Sequence, residues 1–159
     1  LDCIYMPGDA AQLRQLLPQL RFHGIDGALL GSDGWGDTLI YRMGDEVTRQ
    51  AIFPSPFIIH ENTEAYVTFS AAYQQKIGVK PSRLACLGYD AVKLIADAVI
   101  AGADNRSELV KYLALRSDYS GAAGTISFGN NRENTLMPLY RVQSGRAVPL
   151  ESPAVPSVR

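Results

Sequence analysis

With 159 residues, 47% of them hydrophobic and 19% charged, the chain has the composition of one globular core or two small lobes, which excludes disordered and collagen-like classes. Lys and Arg number 15 against 16 Asp and Glu, and no run of like charge occurs, so no nucleic-acid or membrane-surface footprint is present. The apolar stretch at 91–103 is broken by Lys93 and Asp97 and falls short of the roughly 18 residues of a membrane span.

The chain opens directly in an apolar strand, with neither an initiator methionine nor a signal-peptide pattern, and reads as a piece of a longer protein. That strand is Ile4-Tyr5-Met6 and ends in Pro7-Gly8-Asp9. Asp9 and Gln12 have capping-box spacing, and Leu13, Leu16, Leu17 and Leu20 recur at helical period, which predicts an amphipathic helix ending near Gly24. Pro18 inside it removes one backbone bond and should kink its last turn or end it early. A second strand at 27–32 is continuously apolar, as for a strand covered on both faces. Asp37 then caps a short helix through Leu39, Ile40 and Met43, and a third strand follows at 50–53. The order β-α-β-α-β with right-handed crossovers makes this a parallel half-sheet flanked by helices. Pro54-Ser55-Pro56-Phe57 enforces extended backbone and suits a hinge between lobes.

Beyond it, Tyr66, Phe69, Tyr73 and Ile77 mark a helix that stops at Gly78. Ser82 caps a longer one carrying Leu84, Leu87, Ala91, Leu94, Ile95 and Ala98, which ends near Gly102. Asn105 and Glu108 give a further capping-box spacing before Leu109, Val110 and Leu113. Residues 124–128 alternate like a strand, Gly129-Asn130-Asn131 turns, and residues 139–142 with 147–150 read as a hairpin around Ser144-Gly145. The tail from Ser152, with Pro153 and Pro156, should fray.

Cys3 and Cys86 form no metal-ligand spacing with each other or with His23 and His60, so neither a metal nor a cofactor is expected. Both cysteines sit in apolar segments and read as buried thiols rather than a disulfide. Gly31-Ser32-Asp33-Gly34-Trp35-Gly36 lacks the glycine order of a dinucleotide loop, and there is no phosphate-loop lysine and no nucleophile elbow. Binding without catalysis is the expectation.

Several motifs, taken together and in order, resemble the solute-binding proteins of bacterial ABC importers, in the branched-chain amino acid receptor group of type I periplasmic binding proteins. They are the strand Ile4-Tyr5-Met6-Pro7-Gly8-Asp9 with its helix to Phe22, then Leu30-Gly31-Ser32-Asp33-Gly34-Trp35. Gly88-Tyr89-Asp90-Ala91-Val92 and Gly124-Thr125-Ile126-Ser127-Phe128 with its hairpin follow. The likeness is to the family's C-terminal half and runs to about residue 150. It implies an α/β fold of two lobes joined by crossovers and closing on a ligand as a hinged trap, of which this chain carries parts of both. Residues 1–57 would be a second-lobe unit, 58–135 would return to the first lobe, 136–151 would pass back as the hairpin, and 152–159 would be the frayed tail.

The resemblance further implies that Asp33, in the position after Gly-Ser, takes a ligand's ammonium group. The chemistry is sound by itself, because a charge-assisted bond to a carboxylate at a strand end gains strength in a desolvated cleft. The competing reading is that Asp33 caps a turn beside Gly34. Gly8 would let a ligand approach bare backbone, and Asp9 lies at the same helix start, although capping already explains it. Trp35 would be an aromatic wall or core packing, and Leu84 and Tyr89 would look into the cleft from the other lobe or be plain helix core. The implied partners are a small amino acid or related carboxylic or aromatic ligand, an ABC permease, and an N-terminal half absent from this chain, whose absence exposes apolar surface and allows self-association. The implied location is periplasmic or otherwise extracytoplasmic. A ligand-sensing or regulatory ectodomain of the same fold is the alternative, and a flavodoxin-like enzyme subdomain the alternative of another class.

Overall fold

The computed structural model describes residues 2–56, 58–128 and 133–150. The expected turn at Gly129-Asn130-Asn131 and the expected fraying of the tail lie outside the described residues. Of the described residues, those within Leu1–Ser55 and Met137–Arg159 form one compact unit and those within Pro56–Leu136 another.

The first unit is a five-stranded sheet in the order β1-β2-β3-β6-β7. Strands β1 (Cys3–Met6), β2 (Ala28–Gly31) and β3 (Ile52–Pro54) are parallel, with Met6 beside Gly31 and Leu30 beside Ile52. Strand β6 (Leu139–Gln143) runs antiparallel to β3, setting Tyr140 beside Phe53, and forms a hairpin with β7 (Arg146–Pro149). Ser144 and Gly145 both have positive φ, the geometry whose twist matches a two-residue hairpin turn.

Asp9 and Gln12 make the expected capping box at the start of α1 (Ala10–Phe22). The helix does not end early: it runs past Pro18 to Phe22, because Leu13 and Leu17, each 1% exposed, hold it on the core. Asp37 caps α2 (Thr38–Tyr41), and a further turn not foreseen from the sequence, α3 (Asp45–Thr48), follows. The third strand begins later than expected, since Arg49 and Gln50 both take left-handed backbone and cannot extend the ladder.

Two expectations for the sheet fail for one reason. Leu29 is buried, but Leu30 and its register partner Tyr5 are exposed on the opposite face, as is Cys3 two residues before Tyr5. This chain's helices cover one face of β1 and β2, so β2 is not covered on both faces and Cys3 is an exposed free thiol. The apolar run records a strand able to be buried on two sides, and here one side has no covering element among the described residues.

The second unit contains α4 (Glu64–Ile77), α5 (Arg83–Ile100), α6 (Arg106–Ala114) and a two-stranded antiparallel ladder of β4 (Tyr119–Ser120) and β5 (Thr125–Ile126). Thr63, Ser82 and Asn105 cap the helices, and α4 stops at Gly78, where φ is 84°. At α6 the Glu108 carboxylate accepts from the Asp104 amide, one residue before the cap. The buried face of α5 is Cys86, Asp90, Leu94 and Ala98, of which only Leu94 and Ala98 belong to the anticipated stripe. Leu84 and Ile95 are exposed, because α5 is apolar on two faces and a polar residue, Asp90, sits at the centre of the buried one.

Candidate functional site

In an open α/β sheet, ligands bind at the carboxyl ends of the parallel strands, where loops leave polar groups and helix N-termini uncovered. In the first unit these ends are the β1–α1 loop with Gly8 and Asp9, the β2 loop with Ser32 to Gly36, and Ser55 after β3. The first two are locked together. A Cβ added to Gly34 would collide with the Gly8 carbonyl, so the two backbones approach as only a glycine allows. The Gly8 amide donates to Ser32 Oγ at 3.4 Å, and the Trp35 indole N–H donates to the Met6 carbonyl at 2.8 Å.

Asp33 opens a 3-10 turn, Asp33–Gly36, at the tip of β2 and is partly buried. Its Oδ1 accepts a 2.5 Å hydrogen bond from the hydroxyl of Ser55, a residue with no exposed surface. A half-buried carboxylate that accepts a hydrogen bond from a buried hydroxyl has the chemistry to receive a cation. Gly8, Asp33 and Ser55 therefore come together at the ends of three adjacent strands.

The other anticipated residues of this unit stand differently. Trp35 is fully buried, and a Cβ at Gly31 would strike its ring. It is core packing that props the end of β1 from below, not an aromatic wall. Asp9 is exposed, and its carboxylate accepts from the Gln12 amide at 2.9 Å while Gln12 Oε1 accepts from the Asp9 amide at 3.2 Å, so capping employs it. Gly8 turns its amide and carbonyl toward Ser32 and Gly34, so its backbone serves the loop contact first.

In the second unit, Leu84 and Tyr89 are not brought together. Five residues of helix separate them by about 140° around its axis. Leu84 is 76% exposed, whereas Tyr89 stacks on Phe69 with ring centroids 4.2 Å apart. Tyr89 also borders a concavity lined with Glu64, Thr68, Lys93 and Tyr119. Beneath it, Asp90 is 1% exposed and accepts from the amides of Ala122 and Ala123, each at 2.8 Å. A Cβ on Gly121 would fall on that carboxylate. Asp90 is thus the buried clasp of the loop between β4 and β5, a role the sequence pattern did not reveal.

Electrostatics in this unit follow from burial. The Tyr119 hydroxyl is pushed up to about 12, mainly by desolvation and then by the charges of Asp90 and Asp97. Burial, with Asp90 second, raises the Cys86 thiol and keeps it protonated. Lys93 is raised chiefly by its hydrogen bond to Asp97. No three His, Cys, Asp or Glu side chains gather as metal ligands among the described residues.

Known proteins of the same build give the site its context. The sequence model of the periplasmic binding protein family matches residues 1–147. A putative branched-chain amino acid ABC transporter protein from Rhodospirillum rubrum is 25% identical with a TM-score of 0.74, the match covering 94% of this chain and 44% of that one. The branched-chain amino acid transporter substrate binding protein of Streptococcus pneumoniae str. Canada MDR_19A, solved in complex with isoleucine, is 27% identical with a TM-score of 0.60, covering 94% and 45%. A leucine binding protein from Thermotoga maritima MSB8, 24% identical with a TM-score of 0.67 over 94% and 44%, shares the fold. No curated protein matches the sequence. The chain spans less than half the length of these solved structures, and its fold is part of the type I periplasmic binding protein fold. Matched by the family's sequence model along most of its length and by these solved structures in fold, the chain belongs to the periplasmic binding protein family.

Proposed function

We propose that the chain is part of the solute-binding component of an extracytoplasmic ABC importer for an amino acid with an apolar side chain, and that Asp33 receives the ligand's ammonium group. The observation that carries this reading is the Asp33 carboxylate, braced by Ser55 at the carboxyl end of β2, where sheets of this class bind ligands. The isoleucine complex of the Streptococcus relative supports the ligand class. On this reading residues 1–57 and the hairpin belong to one lobe, residues 58–135 belong to the other, and Tyr89 contributes from the second lobe. The protein delivers its ligand to a membrane permease and carries out no reaction.

The experiment is calorimetric titration of the full-length protein with L-isoleucine, L-leucine and L-valine. At least one should bind, and Asp33→Ala should weaken it roughly a hundredfold while lowering the melting temperature of the unliganded protein by only a few degrees, the cost of leaving the buried Ser55 hydroxyl without its carboxylate acceptor. Asp33→Asn should lose nearly as much, since the amide keeps the shape without the charge. Unchanged affinity in Asp33→Ala would remove the ammonium role.

A further inference from the structure

Ser55 has no exposed surface, and its hydroxyl proton is directed to Asp33 Oδ1 at 2.5 Å. Its backbone is fixed as well. Pro54 precedes it in β3 and Pro56 follows, which confines Ser55 to extended geometry, and its amide donates to the Pro138 carbonyl at 3.0 Å. The two compact units of the chain part at 55/56 and again at 136/137. Ser55 is therefore bonded by its side chain to the candidate ligand carboxylate and by its amide to the segment through which the chain returns.

We propose that Ser55 is a positioning residue, which holds the Asp33 carboxylate in its ligand-reading orientation and ties it to both segments by which the chain passes between its units. This rests on Asp33 as the ammonium contact. A carboxylate on a short side chain at the start of a 3-10 turn has alternative rotamers, and a charge-assisted bond from a buried, proline-flanked hydroxyl selects one of them. Preorganising that rotamer removes an ordering cost from ligand binding. A cation arriving at Asp33 meets a group already bonded to both connecting segments, so ligand occupancy is felt where a hinge must bend.

The test has one arm that needs no ligand and one that does, both on the full-length protein. In the first, three-bond couplings report the χ1 rotamer of Asp33 in wild type, Ser55→Ala and Ser55→Cys, the last keeping the shape with a weak donor. A single rotamer in wild type should become averaged in Ser55→Ala and less so in Ser55→Cys. In the second, calorimetry with L-leucine should find affinity reduced roughly tenfold in Ser55→Ala and by less in Ser55→Cys. A purely structural serine would lower the melting temperature and leave the Asp33 rotamer as it is, and an unchanged rotamer overturns the proposal. Wild-type protein that ignores L-leucine counts against the amino-acid reading above, while the rotamer arm still decides Ser55.

Discussion

Gly34 illustrates how a residue without a side chain sets the geometry of a site. It does not occupy left-handed backbone, so alanine suits its dihedral angles, and the objection to a side chain is purely one of space. An added methyl would meet the Gly8 carbonyl, which is backbone and cannot rotate away as a flexible side chain would. The β1 and β2 loops would have to separate, stretching the Gly8 amide bond to Ser32 and the indole bond from Trp35 to Met6. Gly34→Ala should therefore destabilise the protein by about 2 to 3 kcal/mol, comparable with overpacking a core, and should weaken ligand binding as well. Urea unfolding monitored by circular dichroism measures the first effect. A midpoint equal to wild type would mean that the loops have room to part. Gly24, which has open space around its Cβ position and a φ of 61°, makes a control whose cost in alanine comes from dihedral strain alone.

At the scale of elements, Asp90 connects α5 to the β4–β5 loop by accepting two amide hydrogens inside the protein. Asp90→Ala would leave both amides buried without partners, for a loss of about 3 to 5 kcal/mol. Asp90→Asn keeps one acceptor oxygen and should lose roughly half as much. Hydrogen exchange at Ala122 and Ala123 is the direct readout, and both should accelerate together in the alanine variant. What the sequence could disclose divides along the same line. Capping by Asp9, Asp37, Ser82 and Asn105, and the Ser144-Gly145 turn, were legible because each partner lies within a few residues. Asp90 was not, since its partners are 32 and 33 residues away and an acidic residue interrupts the hydrophobic period that normally marks a buried face. The stripe on α5 is legible only in part for the complementary reason: its Leu94 and Ala98 are buried, but its Leu84 and Ile95 are apolar and yet exposed, so periodicity alone could not choose between two faces. At the site, Asp33 was legible from a strand ending in Gly-Ser-Asp-Gly, whereas Ser55, 22 residues on, had no local signature, and the burial of Trp35 depended on its fit against Gly31.

For the whole molecule, the alkaline limit follows from groups whose protons burial retains, among them half-buried Tyr119 in the second unit and buried Tyr140 in the first. With 15 basic and 16 acidic residues, net charge supplies little self-repulsion near neutrality, so the response to pH rests on particular buried groups. Tyr119 in the second unit and Tyr140 in the first both have hydroxyls raised by burial, Tyr119 to about 12 against an ordinary 10.0. The folded chain therefore keeps a proton that the unfolded chain releases. Between those two values the unfolded state binds fewer protons than the folded one, so stability falls as pH rises. Below pH 10 both states carry the proton and the group contributes no slope. The expected profile is flat from pH 8 to about 9, begins to fall where the unfolded chain ionises the Cys86 thiol that the folded chain keeps protonated, and declines more steeply between pH 10 and 12 as the tyrosines contribute. Tyr119→Phe cannot ionise, and should shallow the decline while keeping much of the ring's packing. Tyr119 also lies 5.8 Å from the Arg116 guanidinium, measured to the ring centroid, a contact that phenylalanine retains. Urea midpoints of wild type and Tyr119→Phe across this range provide the check: curves that converge at pH 8 and separate above pH 10 are expected, and parallel curves would show that Tyr119 does not govern the alkaline limb.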